Sequence, residues 1–438
     1  MNHILFIIAF VFPLSCLASN YNAFENDTLH DYEASERINT YTDIIVFKNG
    51  VEVYRSNSHG SDDFAIASVT KLITATSTLR ILNKNQIDVD SKVGELWGEF
   101  PQSLKQITIG QLFSHTSGLN DLPIGFEGMA REEVLNAISK EPLAFEPGES
   151  WHYSNAGYYI LGLLIEELSG VSWEKFVTSE ILRPLGMNDT HFSSDALSGW
   201  TIEGHNITRS EPFDIKSSYS AGSIVSTVDD LSIFISALLE GRIIPEDDFS
   251  KMTSNHSPNG FIEFGYGVNI SKSENSVILG HDGWLPGFTS SVKFDKDGKC
   301  VVVILSRLDS VRPGELSNDL IDKCLGVETK KLNMKEHQGL SPHLFLSSYK
   351  LVPLPKEVED ILGAELVSQI SEMIISKNGK SFEVSFNSEG QEPATLKLDT
   401  SGRLINGQLD ISIEARENYN YVIFKQSGLA IKYQKKAD

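Results

Sequence analysis

Apolar and polar positions alternate in two short runs near the start of the chain, Thr42–Lys48 and Val51–Tyr54, on either side of Asn49–Gly50. Period-two alternation marks a half-buried strand, and an Asn-Gly pair tolerates positive φ, so this stretch predicts a β-hairpin. The period then changes. From about Ala67 to Leu82 apolar residues recur at helical spacing, and from about Pro101 to Leu239 runs such as Gly157–Leu168 alternate with Gly, Pro and Asn punctuation. That predicts a mostly helical middle. Strand patterns return at Gly265–Ile270, Ser276–Leu279, Thr289–Phe294 and Cys300–Ser306, with Asp297–Gly298 as the turn between the last two. Glu315–Leu325 reads as a closing helix. Strands at both ends with helices between imply one α+β unit whose antiparallel sheet is completed by segments far apart in sequence.

That unit is expected over residues 41–329, after a polar lead-in at 20–40. A polar stretch from Lys330 to Pro342 predicts a linker. Beyond it, an amphipathic run at Glu357–Ile375 precedes short alternating segments at Phe382–Phe386, Thr395–Leu398, Leu409–Ile413, Tyr421–Phe424 and Leu429–Tyr433. Residues 343–438 therefore read as a small β-rich domain without a chemical motif of its own.

Composition narrows the function. Over 438 residues, 40% are hydrophobic and 22% charged, which is ordinary for a globular chain of two or more folding units. With 37 basic against 59 acidic side chains the net charge is −22. A field of that sign repels phosphate backbones, so no nucleic-acid partner is expected.

The first 19 residues read as a removable leader. Ile4–Phe12 is almost continuously apolar and ends in small residues near Ala18 and Ser19, the pattern of a secretory signal too short to span a bilayer. Leu14-Ser15-Cys16 is an imperfect lipoprotein site, and export without a lipid anchor, to the periplasm or medium, is expected. No later apolar stretch reaches the ~20 residues a membrane helix needs. Removing the leader leaves Cys300 and Cys324, whose spacing does not show that they meet, so two separately buried thiols are expected. The 11 histidines form no metal-ligand pattern, and neither metal nor cofactor is expected.

Three clusters carry candidate chemistry. In Ser68-Val69-Thr70-Lys71 the first and fourth residues share a helix face, bringing the Lys71 amine toward the Ser68 hydroxyl. A helix start favours alkoxide over ammonium and so pushes both groups toward their reactive forms. By itself the pattern is weak, since Ser172, Ser290 and Ser347 also precede a lysine by three positions. Tyr153-Ser154-Asn155 is the only Tyr-x-Asn among 13 tyrosines. A phenol beside a cationic amine loses its proton more readily than its ordinary pKa of about 10 suggests, and an Asn amide offers a donor and an acceptor to an amide or ester. In Gly280–Trp284, Gly283 would let a substrate backbone approach a strand, and the Trp284 N–H would join that of Ser68 as an oxyanion hole.

With these clusters in order, the chain resembles the penicillin-recognising serine hydrolases related to class C β-lactamases, which include D,D-peptidases, D-amino-acid peptidases and esterases. The resemblance also rests on Ile107–Leu119 (ITIGQLFSHTSGL), Phe145–Tyr158 (FEPGESWHYSNAGY), Pro184–Thr190 (PLGMNDT), Ala221–Thr227 (AGSIVST) and Gly265–Gly267, and covers about Thr42 to Leu325. It implies a β-lactamase/transpeptidase-like fold, an antiparallel sheet beside a mostly helical subdomain. It further implies a nucleophilic Ser68, proton transfer by Lys71 and Tyr153, substrate orientation by Asn155, and His281-Asp282-Gly283 on the sheet's edge strand. His115 falls in a signature and by analogy supports a turn.

The expected activity is thus that of a serine hydrolase forming an acyl-enzyme on Ser68. Its expected partner is a small molecule or peptide, with D-amino-acid-containing peptides, peptidoglycan-derived ones among them, and small esters as substrates. His281 departs from the Lys-Thr-Gly common in the family's β-lactamases. A histidine is mostly neutral at pH 7 and lacks the ammonium that holds an antibiotic's carboxylate. A β-lactamase and a catalytically inactive envelope-binding protein are the competing expectations.

Overall fold

The computed structural model describes residues 41–327, apart from 57–63, 123–128, 194, 204–205, 259–261, 275, 310 and 312, together with the strands between 347 and 436. The leader, the lead-in at 20–40 and the linker at 330–342 lie outside the described residues.

The first hairpin forms as its pattern requires. Strands β1 (Thr42–Lys48) and β2 (Val51–Arg55) are joined by Asn49 and Gly50, at φ 50° and 75°. Helix α1 (Thr70–Asn85) follows, and its interior threonines satisfy their hydroxyls on the preceding turn, Thr76 on the Leu72 carbonyl and Thr78 on that of Thr74. That local satisfaction lets a β-branched, hydroxyl-rich helix be buried. Helix α2 (Asn155–Ser169) starts where the Ser154 Oγ accepts from the Gly157 N–H and stops at Gly170, φ 72°. Helix α3 (Val228–Leu239) is capped by Thr227. Short strands not foreseen in the middle region pair Phe64–Ala65 and His191–Phe192 with Ile224–Ser226.

The chain then returns as β3 (Glu263–Phe264), β4 (Asn269–Ser273), β5 (Ser276–Leu285), β6 (Phe288–Asp295) and β7 (Cys300–Ser306), closing with α4 (Pro313–Leu325). The single strand expected at Gly265–Ile270 is split. Gly265–Gly267 turns against α1, where a Cβ on Gly267 would sit 2.9 Å from that of Ala75 and 3.0 Å from the Lys71 carbonyl.

One antiparallel sheet results, in the order β2-β1-β7-β6-β5-β4-β3. β1 and β7 pair from Thr42↔Ser306 to Lys48↔Cys300, so the sheet is completed by segments more than 250 positions apart. One face buries Leu279, Val292, Phe294, Val303 and Leu305 against the helices of the middle region. The other face packs Ile44, Val46, Val302 and Ile304 against Leu316, Leu320 and Ile321 of α4.

Cys300 and Cys324 are not separate thiols. They form a disulfide with Cα atoms 6.1 Å apart. β7 begins at Cys300 and Cys324 is the next-to-last residue of α4, so a strand and the helix folded back along it bring their outer ends together.

In the C-terminal region eight strands, β8 (Ser347–Leu351), β9 (Glu372–Asn378), β10 (Ser381–Phe386), β11 (Ala394–Leu398), β12 (Leu404–Asn406), β13 (Ile411–Arg416), β14 (Tyr421–Gln426) and β15 (Leu429–Lys435), form a closed barrel. Closure comes from β8 pairing with β15, Tyr349 opposite Lys435. Tyr349, Met373, Ile375, Val384, Ile413 and Tyr433 are buried, and such alternating side chains fill the interior of a small barrel. The end of the run Glu357–Ile375 belongs to β9, and the rest of it to 370 lies outside the described residues. Among the described residues no helix is long and apolar enough to cross a membrane.

Candidate active site

Ser68 sits in a single 3-10 turn, Ala67–Val69, that leads directly into α1. Ala67 holds φ 48°, a left-handed conformation unfavourable for a side chain with a Cβ. The turn is pinned from the sheet, because the Ser290 Oγ of β6 donates to the Ile66 carbonyl at 2.7 Å. Ser290, one of the competing Ser-x-x-Lys serines, is thereby spent on support.

Lys71, the second residue of α1, has no solvent exposure. Its Nζ reaches three acceptors: Ser68 Oγ at 3.2 Å, Asn155 Oδ1 at 2.7 Å and the Ala221 carbonyl at 2.8 Å. Burial penalises the ammonium and lowers Lys71 to about 7, with Asp121 opposing the shift. The amine is therefore poised to exchange a proton near neutral pH.

The Tyr153 phenol is near enough to the Ser68 side chain for that hydroxyl to favour its ionised form, and Lys71 Nζ lies 5.0 Å from the centroid of its ring. The expectation of a readily ionised phenol is corrected here. Burial raises Tyr153 above its ordinary value, outweighing the influence of Ser68. Desolvation disfavours charge on both groups, and it is the lysine that becomes neutral, while the tyrosine keeps its proton.

Asn155 opens α2 with both ends of its amide engaged. Oδ1 accepts from Lys71, and Nδ2 donates to Asp121 Oδ2 at 3.2 Å while the Asn155 backbone N–H donates to Asp121 Oδ1 at 3.0 Å. His115, at φ 60°, is buried beneath this segment. Its Nδ1 accepts from the Ser154 N–H at 3.2 Å, its carbonyl accepts from the His152 N–H at 2.9 Å, and its ring packs 4.4 Å from that of Tyr153. Burial, with Lys71 nearby, holds its imidazole well below the usual range.

The third cluster lies on β5, third from one edge of the sheet, and not on an edge strand as the resemblance implies. β4 and β3 extend the sheet past it, but β4 pairing stops at Gly280↔Asn269, so residues 281–285 are hydrogen-bonded from the β6 side alone. Register sets His281 opposite Val292 and Gly283 opposite Ser290, on the face toward the nucleophile, whereas Asp282 pairs with Ser291 on the α4 face. Gly283 is not open to a substrate backbone. A Cβ there would lie 2.6 Å from the Ile66 carbonyl and 3.0 Å from the Ala67 Cβ, so the close approach is made by the nucleophile's own turn. Trp284 follows the alternation of Asp282, its indole 51% exposed and turned from Ser68. Only its backbone can serve the site.

A family model described as Beta-lactamase matches residues 44–323. The chain belongs to the β-lactamase family. Penicillin-binding protein 4* of Bacillus subtilis (strain 168) is 28% identical over 275 residues, 56% of this chain and 60% of that protein. The chain spans about 60–65% of the length of the first curated relatives it matches. In fold it is similar to the octameric penicillin-binding protein homologue from Pyrococcus abyssi, with a TM-score of 0.63 at 18% identity, covering 97% of this chain and 100% of that one. It is also similar to D-amino acid amidase from Ochrobactrum anthropi SV3, with a TM-score of 0.59 at 20% identity over 71% of this chain and 99% of that one.

For this β-lactamase-family chain, two parts of the site were not singled out from sequence. The Ala221 carbonyl lies inside a quoted landmark, but a backbone acceptor has no side-chain signature. Asp121 stands two residues after Leu119, at the end of a recognised segment, and only its contact with Asn155 reveals it.

Proposed function

We propose that this protein is an exported serine hydrolase that cleaves an amide or ester bond through an acyl-enzyme on Ser68. The observation that carries the reading is the Lys71 amine, fully buried, lowered to about 7 and 3.2 Å from the Ser68 hydroxyl. A serine hydroxyl needs a base at that distance, and a neutral amine supplies one.

In the first step the Ser68 Oγ–H proton passes to neutral Lys71, directly or through Tyr153, as Oγ bonds the substrate carbonyl carbon. The carbonyl electrons move to an oxyanion between the backbone N–H groups of Ser68 and Trp284, each donor contributing ~10²–10³ in rate. The oxyanion collapses, the bond from carbon to the leaving nitrogen or oxygen breaks, and Tyr153 returns the proton to the leaving atom. Water then attacks the ester carbon, giving its proton to the same relay, and the bond from carbon to Oγ breaks, releasing the acid as the relay returns a proton to Ser68. Asn155 orients Lys71 and the substrate, and His281 faces the bound ligand.

The leader pattern and the Cys300–Cys324 disulfide both support export, since disulfides persist in oxidising compartments. D-Amino-acid peptides, peptidoglycan-derived ones included, and small esters suit the site, the former favoured by the fold shared with a D-amino acid amidase. The division proposed is a hydrolase domain at 41–329 and a β-rich domain at 343–438. The test is labelling by a fluorophosphonate followed by mass spectrometry. Wild type should be modified on Ser68 and Ser68→Ala spared, and equal labelling of the two would remove Ser68 as nucleophile. Family membership also favours a second reading, hydrolysis of β-lactam antibiotics, which Ser68-dependent turnover of a chromogenic cephalosporin would support.

A further inference from the structure

The buried segment Tyr219–Gly222 is tied to both α1 and α2. The Ser220 carbonyl accepts from Thr74 Oγ1 at 2.7 Å, Ser220 Oγ donates to the Tyr158 carbonyl at 2.9 Å, and the Ala221 carbonyl accepts from Lys71 Nζ at 2.8 Å. α2 makes room for the segment with Gly162, where a Cβ would stand 2.1 Å from Ser220 Oγ and 2.7 Å from Tyr219 Cε1.

The Ala221 carbonyl decides where the lone pair of the base points. A neutral primary amine has two hydrogens and one lone pair. Two oxygens that only accept, Asn155 Oδ1 at 2.7 Å and the Ala221 carbonyl at 2.8 Å, take the hydrogens, and the lone pair is left for the Ser68 hydroxyl at 3.2 Å. Were that carbonyl turned away, the amine could direct a hydrogen at Ser68 instead, and its protonated form would lose an acceptor.

Two residues earlier, Tyr219 holds φ 42° and ψ −135°, a conformation that a residue with a Cβ adopts only when its surroundings enforce it. Here the surroundings clamp the ring. It lies 4.9 Å from the ring of Tyr159 and 5.2 Å from that of Trp173, and the guanidinium carbon of Arg131 sits 4.0 Å from its centroid. Arg131, the first residue of the helix Arg131–Ile138, is held in turn by ion pairs to Glu166 and Glu174. Tyr159, Gly162 and Glu166 follow at spacings of three and four on α2, so one face of that helix supports the ring, the segment and the arginine. The ionisable groups that act on the Lys71 amine are Asp121, Tyr153, Tyr158, His115 and His281. Tyr219 reaches it through the backbone.

We propose that Tyr219 is a positioning residue: clamped by Arg131, Tyr159 and Trp173, its ring holds the backbone at positive φ and so aims the Ala221 carbonyl at Lys71, a role that rests on the hydrolase reading with Lys71 as the base.

The test is the rate at which a neutral fluorophosphonate labels Ser68 of the full chain between pH 5 and 9. Tyr219→Phe keeps the ring and should match wild type in rate and midpoint. Tyr219→Ala loses the clamp but keeps a Cβ that disfavours positive φ. Its plateau should fall about tenfold and its midpoint below that of wild type, because the protonated lysine has lost an acceptor. Tyr219→Gly removes still more of the side chain yet permits the observed φ, and should label about threefold faster than Tyr219→Ala. Packing alone predicts the reverse order, since glycine leaves the larger cavity and the looser chain. Arg131→Gln, made at the partly exposed end of the clamp, decides the matter if Tyr219→Ala does not fold. It should slow labelling about threefold and move the midpoint in the same direction. Glycine no faster than alanine, or a midpoint unmoved or raised in the variant that folds, overturns the proposal. If wild-type labelling is independent of Ser68 or level with pH, the hydrolase reading with Lys71 as base fails instead. If wild type behaves as expected and the Tyr219 and Arg131 variants follow it, only the assignment of Tyr219 falls.

Discussion

Gly283 of β5 lies against the backbone of Ile66, so close that a Cβ added at 283 would stand 2.6 Å from the Ile66 carbonyl oxygen and 2.4 Å from Ser290 Oγ. The third cluster therefore acts first as a wall that sets the height of the nucleophile's turn. Gly283→Ala should cost about 1–3 kcal/mol in stability through overpacking, and should displace Ser68 enough to lower kcat/KM by about a hundredfold. Thermal melting and ester turnover check the two effects. Ser290→Ala removes one of the two clashes but leaves the carbonyl, so adding it to Gly283→Ala should rescue activity only in part. Full activity in Gly283→Ala would show that the turn has room to move.

The lowered pKa of Lys71 fixes the sign of the pH dependence. A base held at about 7 carries its proton below that pH and is free above it. With an uncharged ester, kcat/KM should rise through about pH 7 to a plateau and fall about tenfold for each pH unit below. Lys71→Arg, which keeps the charge but cannot lose it, should leave little turnover at any pH. A wild-type profile level from pH 5 to 8 would exclude Lys71 as the base.

Much of this was legible because periodicity is local. β1 and β7 begin and end where the alternating pattern begins and ends, and the 3-10 turn Ala67–Val69 followed by α1 covers the stretch of helical spacing from Ala67, running three residues past Leu82. Ser68, Lys71 and Tyr153 do converge on one point, as the spacing of one cluster and the residue types of the other suggested. What sequence withheld depends on distant chain segments. The direction of the Tyr153 shift follows from burial, which no triplet encodes. Cys300 and Cys324 meet only because α4 folds back along β7, and the barrel closes only because Tyr349 meets Lys435. Asp121 is one acidic residue in a polar connection, and nothing in its neighbours announces that it holds Asn155.

The disulfide gives a prediction separable from catalysis. Cys300 and Cys324 are 24 positions apart, and cross-linking a loop of that size stabilises by about 3 kcal/mol in the chain-entropy model. It joins β7 to α4 on the face of the sheet away from Ser68. Cys300→Ser with Cys324→Ser, or reduction of wild type, should lower the melting temperature by about 5–10 °C and leave ester turnover at 25 °C unchanged. Melting curves that superimpose with and without reductant would mean that the bond is absent or contributes nothing.

Asp121 is expected to act on the reaction through two neighbours at once. Its carboxylate accepts from the backbone and the side chain of Asn155, fixing the amide whose oxygen receives Lys71 Nζ at 2.7 Å, and its charge raises the pKa of Lys71 against the effect of burial. Asp121→Asn removes the charge and leaves a single acceptor for two donors. The plateau of kcat/KM should drop about tenfold, the cost of losing a charge-assisted hydrogen bond. The pH midpoint should also move below that of wild type, because a lysine relieved of its nearby anion binds its proton less tightly. A loss caused only by loosened packing would lower the plateau and leave the midpoint in place. The pH-rate profile of the variant therefore decides: a midpoint unmoved or shifted upward assigns Asp121 to structure alone, and a downward shift assigns it to the tuning of Lys71.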